Sequence, residues 1–135
     1  MISIMAVCLA FYNYIKKNST TLFWITIAFL WTLMAFTYGD ADESVYVSRY
    51  ASPHLWGGQT ELLYGLVIKF FSGIGCSFLQ FKAVITAVEV LLIGSTIKKM
   101  SRYPNFVLLC YFIVPFALNV TQMRNALATA IFIWF

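Results

Sequence analysis

Charge is what this 135-residue sequence has least of: five acids, nine Lys or Arg and one histidine leave only 10% of the residues charged. An ordinary soluble domain carries about 25%. The short supply of reactive groups excludes much familiar chemistry. There is no Gly-rich phosphate loop between a strand and a helix, no His/Cys cluster and no Ser/His/Asp set, and the lone His54 falls in a loop where it is read as solvated. Cys8, Cys76 and Cys110 offer neither metal-ligand spacing nor an evident partner, so all three are read as packing residues and no metal site is assigned. Internal repeats, low-complexity tracts and linkers are also missing, which makes residues 1–135 a single domain.

What is present is apolar: 61% hydrophobic and 19% aromatic residues, with a mean hydropathy of +0.82. These values describe an integral membrane protein, all-α and polytopic. The net charge of +4 does not point to nucleic acid, because Lys16, Lys17, Lys98, Lys99 and Arg102 adjoin apolar runs as topology signals do. Spans are expected at about 2–15, 21–38, 78–97 and 106–120, with an incomplete one at 126–135. The first covers only about 21 Å as a helix, short of a ~30 Å hydrocarbon core, so it is read as a short or tilted span. A signal peptide fits less well, since no basic residue precedes the apolar run and no small-residue cleavage site follows it. Pro115 should kink the fourth span.

Residues 61–75 form an exception. Glu61, Gly65, Lys69 and Ser72 share one helical stripe, and Leu63, Leu66, Val67, Phe70, Phe71 and Ile74 share the other. That pattern fits an interfacial amphipathic helix. Topology agrees: with this helix lying flat on the outer surface, all five flanking basic residues are cytoplasmic, and residues 39–75 form an extracytoplasmic loop. A short helix is expected through Glu43–Tyr50, with Asp40 or Asp42 available to cap it.

Four of the five acids lie in that outer loop. The fifth, Glu89, shares a face of the third span with Lys82 and Thr86 near mid-membrane, where it either holds helices together or makes a proton or substrate contact. Asp40, Asp42, Glu43, Arg49, Glu61 and Arg124 are all expected at the outer face among tyrosines and tryptophans. Carboxylates there suit removal of a proton from a sugar hydroxyl, arginines suit a diphosphate, and aromatic rings suit sugars.

The order of two spans, GDADESVY, Arg49, a Glu-led LLYGLVIKFFSGIG helix, a span ending in IKKMS, and TQMRNALATA resembles the N-terminal portion of the EpsG family of Wzy-like polysaccharide polymerases. The loop also looks like the first outer loop of C-type membrane glycosyltransferases. The resemblance implies a multi-pass bacterial inner-membrane enzyme that polymerises oligosaccharide repeat units carried on polyprenyl diphosphate for exopolysaccharide, capsule or O-antigen. Its partners are then the lipid-linked oligosaccharide, the bilayer and other polysaccharide-assembly proteins; no cofactor is implied. Asp40 or Asp42 becomes the candidate base and Arg124 the diphosphate ligand, with Tyr46, Arg49, Glu61 and Asn125 as substrate-binding residues. Asn125 stands where the family's Arg-Gln pair has glutamine, and Leu62-Leu63-Tyr64 replaces an expected Pro-Gly-Tyr. A flippase or transporter of the same lipid-linked sugars and a non-catalytic accessory protein are the alternatives. Because AIFIWF stops without a polar flank, the sequence is expected to be the N-terminal fragment of a larger polytopic protein, inactive alone.

Overall fold

The computed structural model describes residues 2–39, 42–52, 62–113 and 115–135. All regular structure among them is helical: α1 (Ile2–Ile15), α2 (Thr20–Phe36), α3 (Glu43–Ala51), α4 (Leu62–Gly73), α5 (Phe78–Met100), α6 (Pro104–Ile113), α7 (Pro115–Thr121) and α8 (Met123–Trp134). Among the described residues only α5 is by itself long and apolar enough to cross a membrane, and α6 and α7 together also qualify if taken as one bent span. Helices α1 and α2 are apolar but shorter. At 17 residues α2 rises about 26 Å. It stops at Phe36 rather than Tyr38 because Thr37, which still donates its N–H to the Leu33 carbonyl, is itself extended and turns the chain out of the helix.

The 23-residue α5 is the central element, with α2 and α8 packed along it. Its start is fixed by Ser77, whose hydroxyl accepts from the Gln80 N–H while the Gln80 side chain accepts from the Ser77 N–H, a reciprocal capping box. Its end reaches Met100, so Lys98 and Lys99 lie inside the last turn, where positive charge complements the helix dipole. Phe23, Ile27, Leu30 and Met34 of α2 meet Val90 of α5, Leu108 of α6 and Phe116 of α7 in one buried cluster. Gly94 is what lets α2 approach: a Cβ there would lie 2.7 Å from Ile27 Cδ1 and 3.5 Å from Ile27 Cγ1. Alanine needs only the tip of Ile27 to move, whereas Gly94→Leu overpacks the crossing at a cost of about 1–3 kcal/mol. The leucine variant is expected to unfold at a lower temperature in detergent than the alanine variant; equal melting temperatures would contradict this packing.

Polar groups tie the shorter helices together. Asn13 donates to Thr26 Oγ1 of α2 at 2.8 Å, and Trp31 donates from its indole to the Ala83 carbonyl of α5 at 2.9 Å. Asn105 donates to the Ser19 carbonyl at 3.2 Å, closing the end where the basic residues gather. At that end Lys17 and Arg102 both lie over the Tyr103 ring, and Lys98 lies over Trp24. Cys8 and Cys110 correct the packing expectation, since both are exposed on the outer surface of their helices; Cys76 is half-buried, and all three are free thiols. The outward faces are otherwise strongly apolar: Ile4, Val7 and Phe11 of α1 and Val84, Val88 and Leu91 of α5 are all exposed. Apolar exposure on this scale marks a surface meant for something other than water.

Candidate functional site

Helices α3 and α4 cover the end of α5 opposite the basic residues. The amphipathic pattern of α4 resolves into three parts. Tyr64 and Ile68 are buried with Val67 and Phe71 against α5 and α8, while Leu66, Phe70 and Ile74 form a second apolar stripe facing outward, 62–63% exposed. Lys69 is exposed beside it. The single apolar face expected from the sequence is therefore split between protein contact and an outer surface. Gly75 closes the helix at φ +82°, a left-handed turn that glycine adopts at no steric cost, and α5 starts three residues later. Phe81 anchors the assembly, its ring 5.1 Å from that of Tyr50, 5.6 Å from Phe71 and 6.1 Å from Tyr64. Tyr50 also donates its hydroxyl to the Cys76 carbonyl at 2.6 Å, joining α3 to the α4–α5 turn.

Between the N-terminus of α3, the first turns of α5 and the α7–α8 junction lies a cleft lined by Glu43, Tyr46, Phe78, Lys82, Thr121 and Met123. Tyr46 connects its two sides, because its hydroxyl accepts from the backbone N–H of Arg124. Burial pushes the Tyr46 hydroxyl above its ordinary pKa of 10.0; the Arg124 N–H and charge oppose this, Asp42 adds to it and Arg49 opposes it. Tyr46 thus keeps its proton at neutral pH and serves as a hydrogen-bonding group rather than a base. Asp42 and Arg49 flank Tyr46 along α3, four residues before and three after it, and Arg124 of α8 is near enough for its charge to act on the same hydroxyl.

Asp42 takes the N-cap position of α3, one of the two residues expected there, but its side chain makes no cap hydrogen bond. Its carboxylate is exposed. Arg124 lies inside α8, which begins at Met123 and not at 126 as expected. A cation in the first turn opposes the helix dipole, at a cost of roughly 0.3–1 kcal/mol at a surface. The same placement adds a guanidinium to the positive end of the helix, a combination suited to an anion. Asn125 is exposed and donates to Gln122 Oε1 at 3.1 Å, within its own helix start. Asp40, Glu61 and His54 lie outside the described residues. Among the described residues no three His, Cys, Asp or Glu side chains are grouped to hold a metal ion.

The sequence pattern counts Glu43 only among the outer carboxylates and assigns Lys82 nothing at this site, yet the two meet in the cleft. Lys82 is buried, with its ammonium 2.5 Å from the Thr37 carbonyl, 3.8 Å from Glu43 Oε1 and 5.8 Å from the centre of the Tyr38 ring. Glu43 turns its other oxygen to the Gly39 N–H at 2.5 Å. The available signal was a lysine placed one turn inside an apolar run, a costly position that asks for a partner.

None of the curated proteins and none of the solved structures compared with the chain matches it. The sequence profile of the EpsG family matches residues 20–135, which takes in α2, the cleft and all of α8. With all but its first nineteen residues matched, the chain belongs to the EpsG family.

Proposed function

We propose that this chain contributes the extracytoplasmic site of a polymerase that joins oligosaccharide repeat units carried on polyprenyl diphosphate. The family is one of membrane proteins of polysaccharide biosynthesis, and the apolar outward faces of α1 and α5 suit a bilayer. On this reading the helices cross the bacterial inner membrane several times, with residues 39–75 outside and Lys16, Lys17, Lys98, Lys99 and Arg102 inside. The product is exopolysaccharide, capsule or O-antigen.

The observation that supports it most is the meeting of Asp42, Arg49 and Arg124 around Tyr46. Arg124, seconded by Arg49, holds the diphosphate of the donor and stabilises its charge as it leaves. Asp42, or Asp40 beside it in sequence, removes the proton from the acceptor hydroxyl, and Glu61, Tyr46 and Asn125 orient sugar. In the balance of the step, the glycosidic carbon exchanges its bond to the diphosphate oxygen for one to the acceptor oxygen. The acceptor proton passes to the carboxylate. Placing Arg124→Lys at the chromosomal locus should cut polymer yield at least tenfold while leaving the protein's amount in the membrane unchanged. Lysine keeps the charge but loses the planar fork that grips two phosphate oxygens. Polymer of normal length and yield from this variant would refute the diphosphate role.

A second reading, a transporter or flippase of the same lipid-linked sugars, draws on Glu89. This carboxylate is 0% exposed, and neither of its oxygens has a hydrogen-bond partner among the described residues. Buried ionisable groups of that kind in membrane helices often mark a transport path.

A further inference from the structure

We propose that Lys82 and Glu43 act as a positioning pair that fixes the segment carrying the candidate base Asp42, so that both belong to the reaction without touching its atoms. The inference rests on the glycosyl-transfer reading for its functional part. Its structural part stands on geometry.

Thr37 and Gly39 follow the end of α2, Glu43 opens α3, and three contacts tie these described residues together. Lys82 Nζ donates to the Thr37 carbonyl at 2.5 Å, where the last carbonyls of α2 would otherwise be short of donors. The Lys82 ammonium lies 3.8 Å from Glu43 Oε1. Glu43 Oε2 accepts the Gly39 N–H at 2.5 Å. Gly39 has φ +85°, so the chain turns there in a way that favours glycine.

One lysine on α5 therefore holds both ends of the link, one directly and the other through Glu43. Asp42 is bonded directly to Glu43, its side chain makes no cap hydrogen bond, and its carbonyl accepts only from Val45 and Tyr46 of α3 itself, so its place follows the start of α3 that Glu43 ties to Lys82. The burial of Lys82 and Glu43, 7% and 16% side-chain exposure, keeps water from competing for the pair. A solvated surface pair would set no such constraint.

The test uses the full-length protein with Lys82→Met, Glu43→Gln, the double variant and Lys82→Arg, read by amide hydrogen exchange in detergent and by polymer made in cells. The double variant is the informative one, because it removes both charges of the pair together, whereas each single change also alters the charge balance of a buried site. Expected are exchange at least tenfold faster across residues 38–46 in both singles and the double, with the double no faster than the faster single. Lys82→Arg should stay close to wild type, and exchange across Phe23–Leu30 should not change, showing that the helix packing persists. Polymer yield should fall with loop protection and return with arginine. Unchanged exchange across 38–46 in the double variant would overturn the positioning role. Faster exchange with undiminished polymer would support the strap and instead refute the assignment of the Asp42 segment to glycosyl transfer.

Discussion

Phe81→Ala should release α3 and α4 from the rest of the molecule while leaving the α2–α5 crossing intact. Phe81 is 1% exposed and stands at the centre of the second buried cluster, where Tyr50, Tyr64, Phe71 and Phe78 converge on it from three elements. Removing a buried phenyl ring costs about 3–5 kcal/mol, from lost transfer energy and the cavity it leaves. Helices this short cannot offset that loss. At 9 and 12 residues, α3 and α4 are below the length at which an isolated helix is stable in water, so their order depends on packing. The first core is separate in its residues, built from Phe23, Ile27, Leu30, Met34, Val90, Leu108 and Phe116. Limited proteolysis in detergent should therefore cut the variant within residues 39–75 at least ten times faster than wild type, with α5 still protected. Polymer should be lost, since Tyr46 and Asp42 leave with α3. Protease resistance like that of wild type would show that the aromatic cluster does not hold α3 and α4 in place.

Glu89→Lys should prevent accumulation of the protein, whereas Glu89→Gln should accumulate normally. Glu89 lies on the same face of α5 as Lys82 and Thr86, fully buried beside the α2, α6 and α7 cluster and within electrostatic reach of Tyr111. Tyr111 accepts a hydrogen bond from Asn119 at 2.8 Å. A lysine there would bury an ammonium with no carboxylate partner among the described residues, a change of several kcal/mol. That is comparable with the whole stability of many domains. Glutamine keeps the volume and carries no charge, so the packing should absorb it. Membrane fractions probed for the protein check both halves of the expectation, and normal amounts of Glu89→Lys would mean that the site is not as enclosed as its geometry implies. The glutamine variant also separates the two functional readings. Full polymer from Glu89→Gln agrees with a role in packing, and its loss at normal protein level would favour the transporter.

The helices were legible in the sequence because long uncharged runs bounded by Lys, Ser and Pro have few other solutions, and the observed ends differ from the expected ones by a few residues for local reasons. Pro104 opens α6 two residues earlier than expected, as proline does at a first helical position, and the Ser77 capping box is written in its Ser-x-x-Gln spacing. Which apolar stripe faces what was not legible. Leu66 and Val67 are equally apolar, yet one is exposed and the other packs on the core, and periodicity carries no information about neighbours distant in sequence. The pairing of Glu43 with Lys82 across thirty-nine positions lies beyond local pattern for the same reason. Asp42, Tyr46 and Arg49 share a helical stripe of α3 at i, i+4 and i+7, so their grouping is legible from spacing alone, whereas Arg124 could be added to them only through topology, as a residue on the same side of a membrane. Its approach to Tyr46 comes from α8 turning back alongside α5.

The return of α8 depends on the bend of 57° between α6 and α7. The seven residues of α7 rise roughly 10 Å, so straightening that bend would carry the start of α8 sideways by roughly 10 Å. An arginine side chain is too short to make up such a distance. The angle between α6 and α7 therefore works as a gauge of where the Arg124 guanidinium stands relative to Tyr46, and, on the proposed diphosphate role, opening or closing that elbow would tune the grip on the anion from a remote point.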